Sequence, residues 1–123
     1  MAVRNVSGNW KLEQDNGFTV TMKLEQDPEG QVNASPSGNA RVKGDATTPG
    51  LDGAVKGFVT ATSFRVVVDW DRSGPGRGGE YSGTFQVLNE AGDAQLVGVT
   101  FDLDNPNSTA NWRSFNHSFG APS

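Results

Sequence analysis

Phe64-Arg65-Val66-Val67-Val68-Asp69-Trp70 sets the reading of the whole chain. Successive side chains of a strand point to opposite faces, so Phe64, Val66, Val68 and Trp70 form one large apolar face opposite Arg65, Val67 and Asp69. Val67 interrupts the polar side, which predicts a partly covered outer face. Upstream, Gly53 to Thr62 is a run of small and β-branched residues. Downstream, the glycine-rich stretch Arg72 to Gly79 reads as a loop, and Tyr81, Gly83, Phe85 and Val87 resume the alternation. Glu90 to Asp93 reads as a turn. Val97, Val99, Phe101 and Leu103 then form a seventh run, read with Phe101 and Leu103 inward and Leu96 outward. Asp104 to Asn107 with Pro106 is a stop signal, and Trp112 and Ser114 mark a short eighth run.

The first half carries weaker versions of the same pattern. Trp10 and Leu12 begin an alternation, and Phe18, Val20, Met22 and Leu24 continue it after a break. The break is Asp15-Asn16-Gly17, where Asn-Gly supplies the positive φ angles of a two-residue hairpin turn. Asp27-Pro28-Glu29-Gly30 predicts the next turn, because proline presets φ at its second position. Val32 and Ala34 open a third run, interrupted by Pro36 and Gly38. No segment shows a helical period. Eight runs with hairpin-like connections, at about fifteen residues per strand and turn, predict an all-β fold. The expected architecture is an eight-stranded antiparallel up-and-down β-barrel, whose interior has room for side chains or one small ligand.

Composition bounds the function classes. The 123 residues are one domain's worth of chain. Cysteine is absent, which excludes a disulfide framework, a thiolate zinc site and a thiol nucleophile. A net charge of −4, with scattered Lys and Arg, argues against nucleic acid and against an anionic membrane surface as partners. No stretch approaches the length of a bilayer-spanning helix, and Met1 to Ser7 lacks the apolar core of a secretory signal. The tail beyond Phe119 is expected to be loose.

Several of these residues resemble a known family. Gly8-Asn9-Trp10 is similar to the G-x-W opening of calycin barrels, in which the Trp plugs one end. More narrowly, Phe64 to Trp70 followed by the loop, Tyr81-Ser82-Gly83, the strand-seven aromatic and Ala110-Asn111-Trp112-Arg113-Ser114 resemble the avidin and streptavidin family. The resemblance implies a small-molecule-binding barrel with an aromatic box of Trp70, Tyr81 and Phe101, and with Trp112 in the place of a Trp that a neighbouring subunit lends. It implies a homo-oligomer. The family's polar partners of biotin mostly do not carry over, since their places fall on Leu12, Pro36, Gly38, Arg77 and Gly79. Asn16 stands near a loop-borne donor, and no acid matches near His117 to Phe119. Biotin at avidin-like strength is therefore not expected, because each polar group buried without its partner costs about 1–3 kcal/mol.

The same aromatics read equally as barrel core. Gly57, Gly83 and Gly98 in strand interiors favour a pocket, because absent side chains leave space. Asp69 with Asp71 and Asp102 with Asp104 are spaced two apart on the face opposite the aromatics, which makes them solvated surface acids. No catalytic constellation, metal set or cofactor motif emerges, and His117 is the only histidine. The leading expectation is a non-catalytic barrel that binds a small organic ligand through Trp70, Tyr81, Phe101, Trp112 and Asn16. A carbohydrate-binding or host-interaction module and a small cofactor-free barrel enzyme, such as a cyclase, stay open beside it. Outward Val67, Leu88 and Leu96 predict self-association through the barrel wall.

Overall fold

Eight antiparallel strands close on themselves in chain order in the computed structural model, which describes residues 4–26, 40–60, 62–70, 78–103, 105, 107–115 and 117–120. The strands are β1 (Gly8–Gln14), β2 (Thr19–Gln26), β3 (Ala40–Thr48), β4 (Leu51–Val59), β5 (Ser63–Trp70), β6 (Gly79–Val87), β7 (Ala94–Asp102) and β8 (Thr109–Phe115). The last strand returns to the first through Lys11↔Phe115 to Gln14↔Trp112. Closure leaves no sheet edge, so every strand's ladder is used on both sides. The fold is the expected all-β up-and-down barrel, with no helix among the described residues.

The turns explain the short connections. The β1–β2 hairpin is a three-residue connection, with the Gly17 amide donating to the Gln14 carbonyl at 3.1 Å and the Gln14 amide to the Phe18 carbonyl at 2.8 Å. Its positive φ of 95° falls on Gly17, so the Asn-Gly pair marks the turn but belongs to a longer loop than the two-residue hairpin expected. The third strand is Ala40–Thr48, not the run at Val32 and Ala34, which lies outside the described residues together with Pro36 and Gly38. Its inward residues Ala40, Val42 and Ala46 are small, and small residues make a faint apolar face. Thr48 pairs Leu51 across Pro49-Gly50, with Gly50 at φ 82°.

One end of the barrel is filled solid. Trp10 lies edge-on to Phe64 at 5.8 Å and to Phe119 at 5.1 Å, and Phe85 meets Phe119 at 5.9 Å. Arg4 lies over the Phe85 ring and its Nη1 donates to the carbonyls of Gly92 at 2.6 Å and Gly120 at 2.9 Å, which ties the chain's entry and exit together. Phe119 is 1% exposed and bridges Ala94, so the chain is pinned as far as Phe119, and residues 121–123 of the tail expected to be loose lie outside the described residues. The outer wall carries exposed Lys11, Lys23, Glu25, Arg41, Lys43 and Lys56 between the inward apolar residues. That is the reverse of a lipid-facing barrel.

Strand β7 runs with the opposite parity to the one expected. Leu96 is fully buried and Thr100 is 7% exposed, while Val99 is 46% exposed. The inward set is therefore Ala94, Leu96, Gly98 and Thr100, and Phe101 shares the outward parity of Val97 and Val99. The reason is Trp112, which pairs Gly98 and lays its indole over the next glycine, Gly83, where an added methyl would come 2.9 Å from the ring. Its edges meet Phe64 at 6.2 Å and Tyr81 at 5.9 Å. The glycine positions are thus occupied by an indole and by close backbone, and do not leave the empty space expected of Gly57, Gly83 and Gly98.

This packing predicts a contrast between two glycines. A methyl on Gly98 would run into the Ser82 carbonyl and, at 2.5 Å, the Gly83 backbone, whereas one on Gly79 finds nothing closer than 3.6 Å. Gly98→Ala should lower unfolding free energy by about 2 kcal/mol or more, the upper range of overpacking costs. Gly79→Ala should stay within about 0.5 kcal/mol of wild type. Urea denaturation of both variants checks this, and equal midpoints would contradict the packing.

Candidate functional site

The other end of the barrel, where β1, β3, β5 and β7 finish, is open. Alternation carries Val20 of β2, Leu51 of β4, Trp70 of β5, Tyr81 of β6 and Ala110 of β8 toward a cavity of about 280 Å³. Gly79 forms part of its wall, and a methyl there would lie 3.7 Å from both Trp70 Nε1 and Thr100 Oγ1. The rim is built by the hairpin residues Asn16 and Phe18, by Thr48, and by Asp102, Ser108 and Thr109 around the β7–β8 connection. Phe18 is 56% exposed, an apolar side chain standing at the mouth.

A chain of polar contacts crosses this end. Tyr81 donates from its hydroxyl to Gln14 Oε1 at 2.6 Å, and Gln14 Nε2 donates to Asn16 Oδ1 at 3.1 Å. The interior phenol is thereby connected to the tip of the first hairpin. Burial of the ring pushes the Tyr81 phenol up to about 12; a hydrogen bond with Thr100 opposes the rise and the negative charge of Asp102 adds to it. At neutral pH the phenol is protonated, so it donates and accepts hydrogen bonds and fixes Gln14. Among the described residues no group of three or more His, Asp or Glu side chains is arranged to hold a metal ion.

The sequence-derived site residues separate into three positions. Trp70, Tyr81 and Asn16 come together at the cavity. Phe101 borders the same cavity, although its strand parity is outward, beside Glu80 and Thr109. Trp112 stands one layer deeper, 3% exposed inside its own barrel, with Nε1 donating to the Val99 carbonyl at 2.9 Å. Its ring packs against Tyr81 in the interior of its own barrel. Asp102 is exposed, as expected of a solvated acid, but it pairs Gly79 across the sheet and borders the cavity, while Asp71 and Asp104 lie outside the described residues. The loop Arg72 to Gly79 is described only at Gly78 and Gly79. His117 packs on Phe119 at 4.7 Å, at the filled end and remote from the cavity.

Sequence reading passed over Gln14, Thr48 and Leu51, and it set Thr100 outward on the wall, where the structure buries it at 7% exposure. The Pro49-Gly50 pair was the available signal for the first two-residue hairpin, and would have set Thr48 and Leu51 at a strand end. Nothing local marks Thr100, because its inward position is set by the Trp112 packing on the neighbouring strand.

Tyr81 is the only tyrosine of the chain, so phenolate absorbance reports this one group. The expected midpoint is about 12 in the folded protein and about 10 in denaturant. Because the folded value lies above the unfolded one, this group's contribution to stability is complete below about pH 10 and is lost as pH rises through that interval. Asp102→Asn should move the folded midpoint down and Thr100→Val should move it up. A folded midpoint at the ordinary value would place the phenol in solvent.

Comparison with family models, with curated proteins and with solved structures found no match to this chain, so what the cavity does is argued from its own geometry.

Proposed function

We propose that the protein is a non-catalytic binding barrel that holds a small organic molecule in the cavity at its open end. The observation that carries this reading is the asymmetry of the interior: aromatic side chains fill one end, whereas Trp70 and Tyr81 at the other border about 280 Å³ of accessible space. Ligand cavities commonly begin near about 300 Å³, so the occupant is on the order of one or two rings in size. Val20, Leu51, Trp70 and Ala110 offer apolar surface, and Asn16, Thr48, Thr100 and Ser108 offer hydrogen-bonding groups around it. The likeness to avidin-type barrels agrees with this use of the open end. Biotin itself is a poor fit, because Leu12 is fully buried in the core and Gly79 carries no polar side chain.

The outer wall supports self-association. Val97, Val99 and Phe101 make an apolar stripe along β7, and Val67 lies on the same outer surface two strands away. Val67 and Leu88 face outward, while Leu96 belongs to the core and takes no part. A specific interface buries about 1,200–2,000 Å², which a barrel wall can supply.

Two experiments test these readings. A fragment set titrated into wild type and Gly79→Ala, followed by tryptophan fluorescence, should give binders whose affinity falls about tenfold in the variant, since the methyl enters the space between Trp70 and Thr100. Biotin in the same titration should bind at micromolar strength or weaker. Nanomolar biotin, or fragments indifferent to Gly79→Ala, would contradict the proposal. Sedimentation velocity should show a species larger than the 13.0 kDa chain that dissociates in Val99→Asp; a single monomer at tens of micromolar would remove the oligomer.

A further inference from the structure

The charge of the cavity specifies more than its size does. Among the described residues that border it, Asp102 is the one charged side chain, and no lysine or arginine joins it. Asp102 forms no hydrogen bond or ion pair through its carboxylate with any described residue, in contrast to Glu13 and Glu80, which are held on the outer wall by Arg113 at 2.7 Å and Arg65 at 2.8 Å. It pairs Gly79, whose missing side chain opens the wall between Trp70 and Thr100. A carboxylate, an indole and a gap between them therefore share one corner of the cavity.

The rest of that end points the same way. Asp15 follows β1, Asp52 is near the start of β4, and Asp69 is near the end of β5, so three further acids lie toward the open end, while Glu25, Glu90 and Asp93 lie toward the other. Arg4, Arg41 and Lys43 lie toward the filled end. A mouth lined with one sign of charge over low-dielectric walls concentrates ligands of the opposite sign. The aromatic face adds to this, since a cation over an indole is attracted by the ring quadrupole. A carboxylate ligand would meet repulsion at Asp102, and a neutral one would leave that charge without a counterpart.

Resting on the binding reading above, we infer that the cavity's ligand carries a protonated amine, with the ammonium group at Asp102 and its apolar body against Trp70. Hydrogen bonds from the ammonium replace the water around the carboxylate, and the ring or chain behind it displaces water from Val20, Leu51 and Ala110. Thr100 stands beside the gap and fixes the depth to which that body enters.

The test uses the full chain and three probes of one shape: 2-phenylethylamine, 2-phenylethanol and phenylacetate, titrated calorimetrically at one ionic strength. Wild type should bind the amine about tenfold more tightly than the alcohol, the gain of an exposed charge pair with a cation–π contact, and the acid most weakly. In Asp102→Asn the amine-to-alcohol ratio should collapse to about one, with near-ultraviolet circular dichroism showing the barrel intact; Asp102→Ser gives the same reading if the amide perturbs the strand end. Arg72, Arg77, Asp71 and Asp104 lie outside the described residues, and the acid arm also reports any net positive field they add. Equal binding of amine and alcohol, tightest binding of the acid, or a ratio unchanged in both variants would overturn the inference while leaving the cavity as a binding site. Failure of all three probes to bind wild type at millimolar concentration would overturn the binding reading together with it.

Discussion

The interior of an eight-stranded barrel is narrow, and what this chain does with that limited volume governs everything else about it. At the end where the termini meet, Trp10, Phe64, Phe85 and Phe119 pack edge to face. Edge-to-face pairs at these distances add to the stabilisation from burying their apolar surface. Arg4 and Phe119 reach it from opposite ends of the chain and convert an open tube into a closed cup.

The wall of the cup is organised around one crossing. Trp112 occupies the middle of the interior over Gly98 and Gly83, supports Tyr81 from beneath and separates the filled end from the cavity. The indole lies over the inner side of the sheet at Gly83 and Gly98, and in β7, whose inward set is Ala94, Leu96, Gly98 and Thr100, the larger apolar residues Val97, Val99 and Phe101 take the outward parity. The same packing forms the floor of the cavity and leaves an apolar stripe on the outer parity of β7. Tyr81 then passes the floor's position outward through Gln14 to the hairpin tip.

The fold class was legible wherever one parity of a strand carried all the large apolar residues. In β2 and β5 that set is Val20, Met22 and Leu24, and Phe64, Val66 and Val68, each buried as the alternation implies. β3 was misplaced because Ala40, Val42 and Ala46 give too little contrast against Arg41, Lys43 and Asp45. In β7 the bulkier parity is the outer one, so the rule that large residues face inward inverted the strand, setting Phe101 inward and Leu96 outward where the structure has Leu96 in the core and Phe101 on the outer parity. The plug was legible only at Trp10. Phe119 and Arg4 are isolated in sequence, and their burial comes from contacts across the length of the chain. Of the site, Trp70 and Tyr81 were readable from alternation, whereas Thr100 and Asp102 depended on the parity that Trp112 sets.

A cup with a solid base and a polar, acid-marked mouth suits a protein whose work is to hold a molecule, with the groups around the cavity fixed by packing and hydrogen bonds before the molecule arrives. The division of the interior into filled base and accessible mouth is the claim on which that account stands. Amide chemical-shift mapping with a mixture of one-ring fragments tests it most directly. The account predicts shifts confined to the cavity's own amides, such as Thr48, Gly79, Thr100 and Ala110, with Leu12, Val66 and Leu96 unmoved; shifts centred on those core amides, or none anywhere at millimolar fragment, would contradict it.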